Sequence, residues 1–447
     1  MPKLLKTGFV FSFLFSLLVF PQQISQNYDW FIADPYLPIV ARYDDISFVN
    51  PSLGWAVNSS GQIFRTTNGG NSWTQQLQIS AYFRCVKFAD SLNGWAGTLD
   101  NTQLLYHTTD SGEHWNLVTN IPTTPVSPKR ICGLFVVNKD VIYGSGAYDG
   151  PAVIIKTTNG GVNWQTIDMS NYATNLIDCY FINKDSGFVV GGSPNAIFNG
   201  GQGTTKAVVL YTTNGGNTWL TRYTGQTTSE WGWKINFPTP LVGYVSVENF
   251  NAGSILKTID GGKTWNKYVV SNLHDLEGIG FINETTGWVG TRQTGKNMFA
   301  ARTDNGGISW QSDTLGRSLN RFLFFGDSIA YASGITIYKY TKETASGIKE
   351  ENYTPKSFFL SQNYPNPFNP STTIEYTLPK SEKVTIRIYD GLGKELGTIL
   401  DEYQSGGTHK VKWDGKDANG ILAASGFYIY RIDAGGKAES KMMVLMK

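Results

Sequence analysis

The 447-residue sequence is short of charge: Asp, Glu, Lys and Arg together make up 16% of it and nearly cancel, to a net +2. They form no basic stripe, which excludes a nucleic-acid partner or an anionic-membrane surface. Cysteine is scarce and odd in number, at three. Cys85, Cys132 and Cys179 cannot all pair within the chain, and each precedes or lies in an apolar segment, so buried thiols are expected rather than a disulfide framework. His107, His114, His274 and His409 are scattered, with no Cys/His spacing of a metal site, and no metal or cofactor is expected. The H-E-x-x-H, G-x-S-x-G and phosphate-loop patterns are absent, which removes the reaction classes they carry. No stretch keeps a helical period, so the chain reads as all-β.

What the sequence has in quantity is glycine (49 residues) and aromatic side chains (14%). That mixture suits many short strands, with rings filling the core and glycine supplying turns of positive φ. At the N-terminus, Lys3 and Lys6 precede an apolar run from Gly8 to Phe20 and a polar Pro21-Gln22-Gln23. The run is short for a membrane span and has the layout of a secretory signal peptide, expected over residues 1–26. An uncleaved membrane anchor is the alternative.

One motif occurs six times: Thr66-Thr-Asn-Gly-Gly-Asn-Ser-Trp73, Thr108-Thr-Asp-Ser-Gly-Glu-His-Trp115, Thr157-Thr-Asn-Gly-Gly-Val-Asn-Trp164, Thr212-Thr-Asn-Gly-Gly-Asn-Thr-Trp219, Thr258-Ile-Asp-Gly-Gly-Lys-Thr-Trp265 and Thr303-Asp-Asn-Gly-Gly-Ile-Ser-Trp310. An Asn or Asp that can accept bonds from downstream backbone, next to glycine, is turn chemistry, so each box should join two strands. Asn68, Asp110, Asn159, Asn214, Asp260 and Asn305, with Trp73, Trp115, Trp164, Trp219, Trp265 and Trp310, are therefore read as structural. A second pattern occurs seven times: an apolar residue followed six positions later by a small or apolar residue and an aromatic, as in Phe48…Gly54-Trp55 and Phe281…Gly287-Trp288. It reads as a hairpin between the first two strands of each unit. Four strands per unit at this period make a propeller blade.

Seven hairpins but six boxes leave the last unit one strand short. Tyr28-Asp-Trp30-Phe31 precedes the first hairpin at the spacing of a box tryptophan, so this segment should close the ring as the outer strand of blade seven.

The boxes resemble the Asp-box (BNR) repeats of sialidase-like propellers, and with the glycine–aromatic hairpins they look most like the photosystem II stability/assembly-factor-like family, over roughly Tyr28 to Tyr340. The resemblance implies a fold more than a function, because such repeats also occur in glycoside hydrolases and sorting receptors.

After a linker (341–358) come Asn363-Tyr-Pro-Asn-Pro-Phe-Asn-Pro370 and short alternating strands such as Val384–Tyr389 and Gly426–Ile432, which argue for a small Ig-like sandwich over 359–447. This segment closely resembles the type A C-terminal sorting domain of the type IX secretion system. The resemblance implies a Gram-negative host, export across the outer membrane and a mature protein released or held at the cell surface, with the secretion machinery as a partner. The expected architecture is all-β throughout: a signal peptide, a seven-bladed propeller over 27–340, and the sandwich.

On a rigid ring, recognition usually sits on the variable loops. These are the second-to-third-strand connections, longest at Val190–Lys206 and irregular at Gly146–Ala152 and Arg292–Met298. Beside them, at the starts of inner strands, lie Tyr82, Phe83, Arg84, Arg130, Asp178, Glu230, Trp231, Trp233, Glu277 and Arg321. Of these, Arg84, Arg130, Asp178, Glu230, Trp231, Trp233, Glu277 and Arg321 are the candidate ligand contacts at a channel mouth. The bland reading is that the aromatics cap the core and the charges are solvated. Two functions are weighed. One is a non-catalytic binding or assembly propeller, with an extracellular protein or glycan as ligand. The other is a sialidase-like or xyloglucanase-like glycoside hydrolase, needing Arg84, Arg130 and Arg321 to converge, or two carboxylates among Asp44, Asp45, Asp178, Glu230 and Glu277 to face each other across a cleft. Display of a surface for adhesion differs from the first only in partner size.

Overall fold

A computed structural model describes residues 28–446, apart from residues 41, 199–202, 271–272, 293–299, 343–357, 361–362, 364–365 and 367. The expected signal peptide, most of the linker and most of the blade-six connection Arg292–Met298 lie outside the described residues.

Seven four-stranded antiparallel sheets follow one another along the chain. Their innermost strands are β2 (Tyr43–Phe48), β6 (Phe83–Phe88), β10 (Gly133–Val136), β14 (Asn175–Phe181), β18 (Trp231–Asn236), β22 (Leu276–Phe281) and β26 (Arg321–Phe325). Each lies beside the next, and β26 returns to β2, so the sheets form a closed ring of blades around a channel. The closure is the expected one. β1 (Tyr28–Ile32) pairs antiparallel with β28 (Ile337–Lys342), Trp30 opposite Tyr340, as the outer strand of blade seven.

The invariant six-residue spacing has a steric cause. Phe48, Phe88, Phe181 and Phe281 lie opposite Gly54, Gly94, Gly187 and Gly287 across the first hairpin. A Cβ at any of these glycines would overlap the facing ring. The aromatic at the seventh position then reaches the next blade: Trp55 stacks on Phe88 at 3.4 Å between centroids, Tyr143, which follows Ile142, on Phe181 at 3.6 Å and Tyr244 on Phe281 at 3.6 Å. Tyr331 stacks on Phe48 at 3.9 Å, carrying the pattern across the closure. Such pairs contribute about 0.5–1.5 kcal/mol each beyond burial. Blade three offers Val136 at this position, and Trp95 stacks instead on His107 of its own blade, at 4.6 Å.

The boxes are hydrogen-bonded turns. In the first, the Asn68 side-chain oxygen accepts from the Thr66 hydroxyl (3.0 Å) and the Ser72 N–H (3.0 Å), and the Thr66 hydroxyl accepts from the Gly70 N–H (2.9 Å). The other five repeat this geometry, as at Thr258, Asp260, Gly262 and Thr264. Gly69 and Gly70, at φ 68° and 84°, take the left-handed conformation that other side chains resist. Box carbonyls also accept bonds from the preceding blade: Gly69 from the Tyr331 hydroxyl and Lys339 Nζ, and Gly306 from Lys257 Nζ. Cys85, Cys132 and Cys179 are free and buried.

The C-terminal residues form a separate small β domain. One sheet orders β29 (Phe359–Leu360), β30 (Thr372–Leu378) and β33 (Gly407–Trp413); the other orders β32 (Glu395–Gln404), β31 (Glu382–Asp390), β34 (Gly426–Ala434) and β35 (Lys437–Leu445). Ile374, Tyr376 and Leu378 of the first share a core with Ile386, Tyr430 and Met443 of the second. β32 escaped the sequence reading. It lies at the sheet edge with most side chains exposed or half-exposed, so no buried alternation marks it. Within the motif, Asn366 and Phe368 are strapped to β35. Phe368 is buried against Trp413, its N–H donates to the Val444 carbonyl, and its carbonyl accepts from the Met446 N–H. Asn363 donates from its side chain to the Thr372 hydroxyl at 2.9 Å.

Candidate functional site: a charged channel end

The innermost strands begin irregularly. Register slips between Tyr43 and Asp45, Phe83 and Cys85, Leu176 and Asp178, Gly232 and Ile235, and Leu276 and Ile279 place β-bulges in blades one, two, four, five and six. A bulge breaks the two-residue alternation and re-aims a side chain. Asp44, Arg84, Trp233, Lys234 and Glu277 all fall within these slips, and they gather at one end of the channel, the end that carries the second-to-third-strand loops.

Two connected networks result. In the first, Arg42 Nη1 reaches Glu277 at 2.5–2.6 Å and its Nε reaches Asp44 at 2.8 Å. Arg84 also pairs with Asp44, and its guanidinium lies 4.7 Å over the Trp233 ring. The Asn320 amide bridges Asp44 and Glu277 at 3.3 and 3.2 Å. In the second, Arg321 spans the channel: Nε to Asp45 of blade one at 2.8 Å, and Nη1 and Nη2 to Asp178 of blade four at 3.0 Å. Lys87 Nζ joins Asp45 at 3.0 Å. These pairs tie blades one, two, four, six and seven together.

Their chemistry follows from burial against pairing. Burial alone would raise Asp45 and Asp178, but Arg321, with Lys87 and Lys234 at Asp45 and Lys234 at Asp178, outweighs it and holds both carboxyls below the ordinary range. Lys234 is pushed the other way, down to about 8, by burial and then by Arg321. Glu248, at the blade-five end of the site, accepts from Trp231 Nε1 at 2.9 Å, and burial, with Glu277 and Asp275 nearby, raises it well above the carboxylate range.

Of the candidate residues, Arg84, Asp178, Trp233, Glu277 and Arg321 enter these networks directly. Trp231 binds Glu248, and Glu230 pairs with Lys267 at 2.5 Å on the blade-five rim. Arg130 stands apart, paired with Asp149 at 2.6 Å. The solvated-charge reading does not hold. Arg84, Asp178, Glu230 and Glu277 are at most 1% exposed: Arg84, Asp178 and Glu277, at the bulges, turn inward onto partners from other blades, and Glu230 turns onto Lys267 and Asn249 of its own blade. Arg84, Arg130 and Arg321 are each engaged by a different carboxylate of the protein itself, so they form no shared clamp for a substrate carboxylate. Asp45 and Asp178, both bound to Arg321 and held ionised, are poor proton donors.

Sequence reasoning missed Arg42, Lys87, Lys234, Glu248 and Asn320. It also missed three aromatics, Tyr148 and Phe198 on two of the loops it singled out and Phe250 on the blade-five loop, which it did not. Tyr148 packs edge-on to Phe198 (4.8 Å) and Trp233 (5.8 Å), Phe198 to Trp231 (4.9 Å), and Phe250 to Trp231 (6.1 Å). They form a half-buried aromatic cluster contributed by the loops of blades three, four and five.

Comparison with known proteins fits this architecture. Residues 24–167 match the family model described as Photosynthesis system II assembly factor YCF48, and residues 369–437 match that of the FlgD Ig-like domain. The photosystem II assembly lipoprotein Ycf48 of Synechococcus sp. (strain CC9902) is 29% identical over 125 residues, 27% of this chain and 35% of the relative. The chain thus spans about a third of the length of the curated relatives it matches. A structure of YCF48 bound to D1 peptide superposes with a TM-score of 0.52 at 19% identity, covering 71% of this chain and 97% of that one. YCF48 from Cyanidioschyzon merolae gives 0.53 at 17%, covering 70% and 99%. At such identities the structural likeness speaks for the fold. The chain carries a seven-bladed BNR propeller similar to that of the assembly factor YCF48, followed by a small β domain similar to the FlgD Ig-like domain.

Proposed function

We propose that the chain is a non-catalytic binding propeller for an extracellular polypeptide, exported across the outer membrane by the type IX secretion system acting on its C-terminal domain. The observation that carries the binding reading is the aromatic cluster of Tyr148, Phe198 and Phe250, set over Trp231 and Trp233 at the loop end of the channel. Half-buried rings packed on one another beside buried charge suit a polypeptide segment, whose side chains they can grip. The commitment of Asp45, Asp178 and Glu277 to arginines supports binding over hydrolysis, because a glycosidase needs a pair of carboxyls at liberty and the raised Glu248 has none of these three to work with. A propeller of the same fold has been solved with D1 peptide bound.

The export reading rests on the Asn363–Pro370 motif. The bonds that tie Asn366 and Phe368 to β35 support this reading by holding those residues of the motif against a strand of the C-terminal domain.

A peptide array and a glycan array probed with the full chain, beside a Tyr148→Ala/Phe250→Ala variant, test the binding. Peptide signal at least tenfold weaker in the variant is expected. Glycan binding alone would replace the partner class, and equal peptide signal in both proteins would move the site off the loop face. In a host with a type IX system, the full chain should reach the medium or cell surface, while a chain lacking residues 359–447 stays in the periplasm. Equal export of both would remove the sorting role.

A further inference from the structure

The channel network is electrically unbalanced. With the buried Glu248 held in its neutral form, four carboxylates, Asp44, Asp45, Asp178 and Glu277, face five cations, Arg42, Arg84, Lys87, Lys234 and Arg321. The odd group is Lys234. The residue is 1% exposed, and its Nζ finds no hydrogen-bond partner among the described residues.

The two carboxylates that act on Lys234, Asp45 and Asp178, are occupied by other donors, while the unpartnered Oδ2 of Asp44 belongs to the carboxylate already paired with Arg84. Asp45 receives the Ile46 and Val86 N–H groups together with Lys87 and Arg321. Asp178 receives the Ile235 N–H and both Arg321 nitrogens. A second buried donor, Arg84 Nη2, is equally unpartnered, and the Arg84 guanidinium lies over the ring of Trp233, the residue next to Lys234. An uncompensated buried ammonium costs several kcal/mol, and water can satisfy its hydrogen bonds but not its charge.

We propose that the channel end holds a small monovalent anion of the halide class, bound by Lys234 Nζ and Arg84 Nη2 and completing the charge balance of the ring. The ion is structural. It joins blade two to blade five, a pair that no described ion pair of the network connects. A single negative charge matches the excess, and a monatomic ion is the smallest group that supplies it.

The test is thermal unfolding of the full chain at constant ionic strength, with sodium gluconate replaced stepwise by sodium chloride or bromide. A saturable rise in Tm on the order of 4 °C is expected for the wild type. Lys234→Met should lose the rise and, without halide, match or exceed the wild type, since the uncompensated charge is gone. A crystal soaked in bromide should show an anomalous peak beside the Lys234 nitrogen, an arm that needs no variant to fold. A halide-independent wild-type Tm, an equal halide response in Lys234→Met, or a bromide-soaked crystal without that peak would each overturn the proposal. Each outcome is independent of whether the loop face binds a polypeptide.

Discussion

At the scale of single residues, the boxes show which part of the motif matters. Asp260 accepts from the Thr258 hydroxyl, the Thr264 N–H and the Thr264 hydroxyl, and these bonds, the Thr264 side chain first, hold its carboxyl down to about 2. Four of the six boxes perform the same turn with a neutral asparagine, so the geometry needs an acceptor oxygen, not a charge. Asp260→Asn should therefore leave stability within about 0.5 kcal/mol in urea unfolding, and Asp260→Ala should cost about 1–2 kcal/mol. A large loss in the asparagine variant would mean the carboxylate has a separate task.

Lys234 makes a pH-dependent prediction at the same scale. Burial and Arg321 lower its folded value from 10.5 to about 8, with Arg84 adding to the shift and Asp178 and Asp45 opposing it. Between those two values the unfolded chain keeps the proton that the folded chain releases, so stability climbs as pH rises through the window. Below about 8 the penalty is fully present, on the order of 3 kcal/mol. Cys132, raised to about 11, titrates in the opposite sense, so the informative quantity is the difference from Lys234→Met. In low-halide buffer that difference should shrink from pH 8 to pH 10; a flat difference would contradict the assignment.

At the scale of elements, the propeller was legible because each of its devices recurs. Phenylalanine over glycine, the aromatic beyond it and the box turn each mark one hairpin, and Trp30 gave away the closure by its spacing. The charged site was only half legible. Its residues sit where bulges suspend alternation, so Asp44 and Asp45, adjacent in sequence, both bind across blades, which a two-residue period cannot foresee. Lys234 and Glu248 had no signal of their own. Partners come from strands tens to hundreds of residues away, as Asn320 does to Asp44. The closure strand offers a direct check on element stability. Trp30 is 5% exposed and meets Trp288 edge-on at 5.5 Å and Phe322 at 5.9 Å. Trp30→Ala should cost about 3–5 kcal/mol. A cost under 1 kcal/mol in denaturant titration would mean that the ring does not depend on its N-terminal strand.

At the scale of the whole molecule, the ring is held at its rim by stacked aromatics and boxes and at its centre by charge. Arg321 links blade seven to blades one and four, so Arg321→Met leaves Asp45 and Asp178 buried without it and should destabilise by about 3–5 kcal/mol. The same pairing shapes function. Carboxylates that lock a ring together are not at liberty to protonate a leaving group, and the surface left for recognition is the aromatic loop face. The most direct test is a hydrolysis assay of the full chain on xyloglucan oligosaccharides and sialyllactose, beside Glu277→Gln. A binding propeller predicts no turnover above background in either protein. Turnover by the wild type that disappears in Glu277→Gln would place chemistry in the channel and contradict the account.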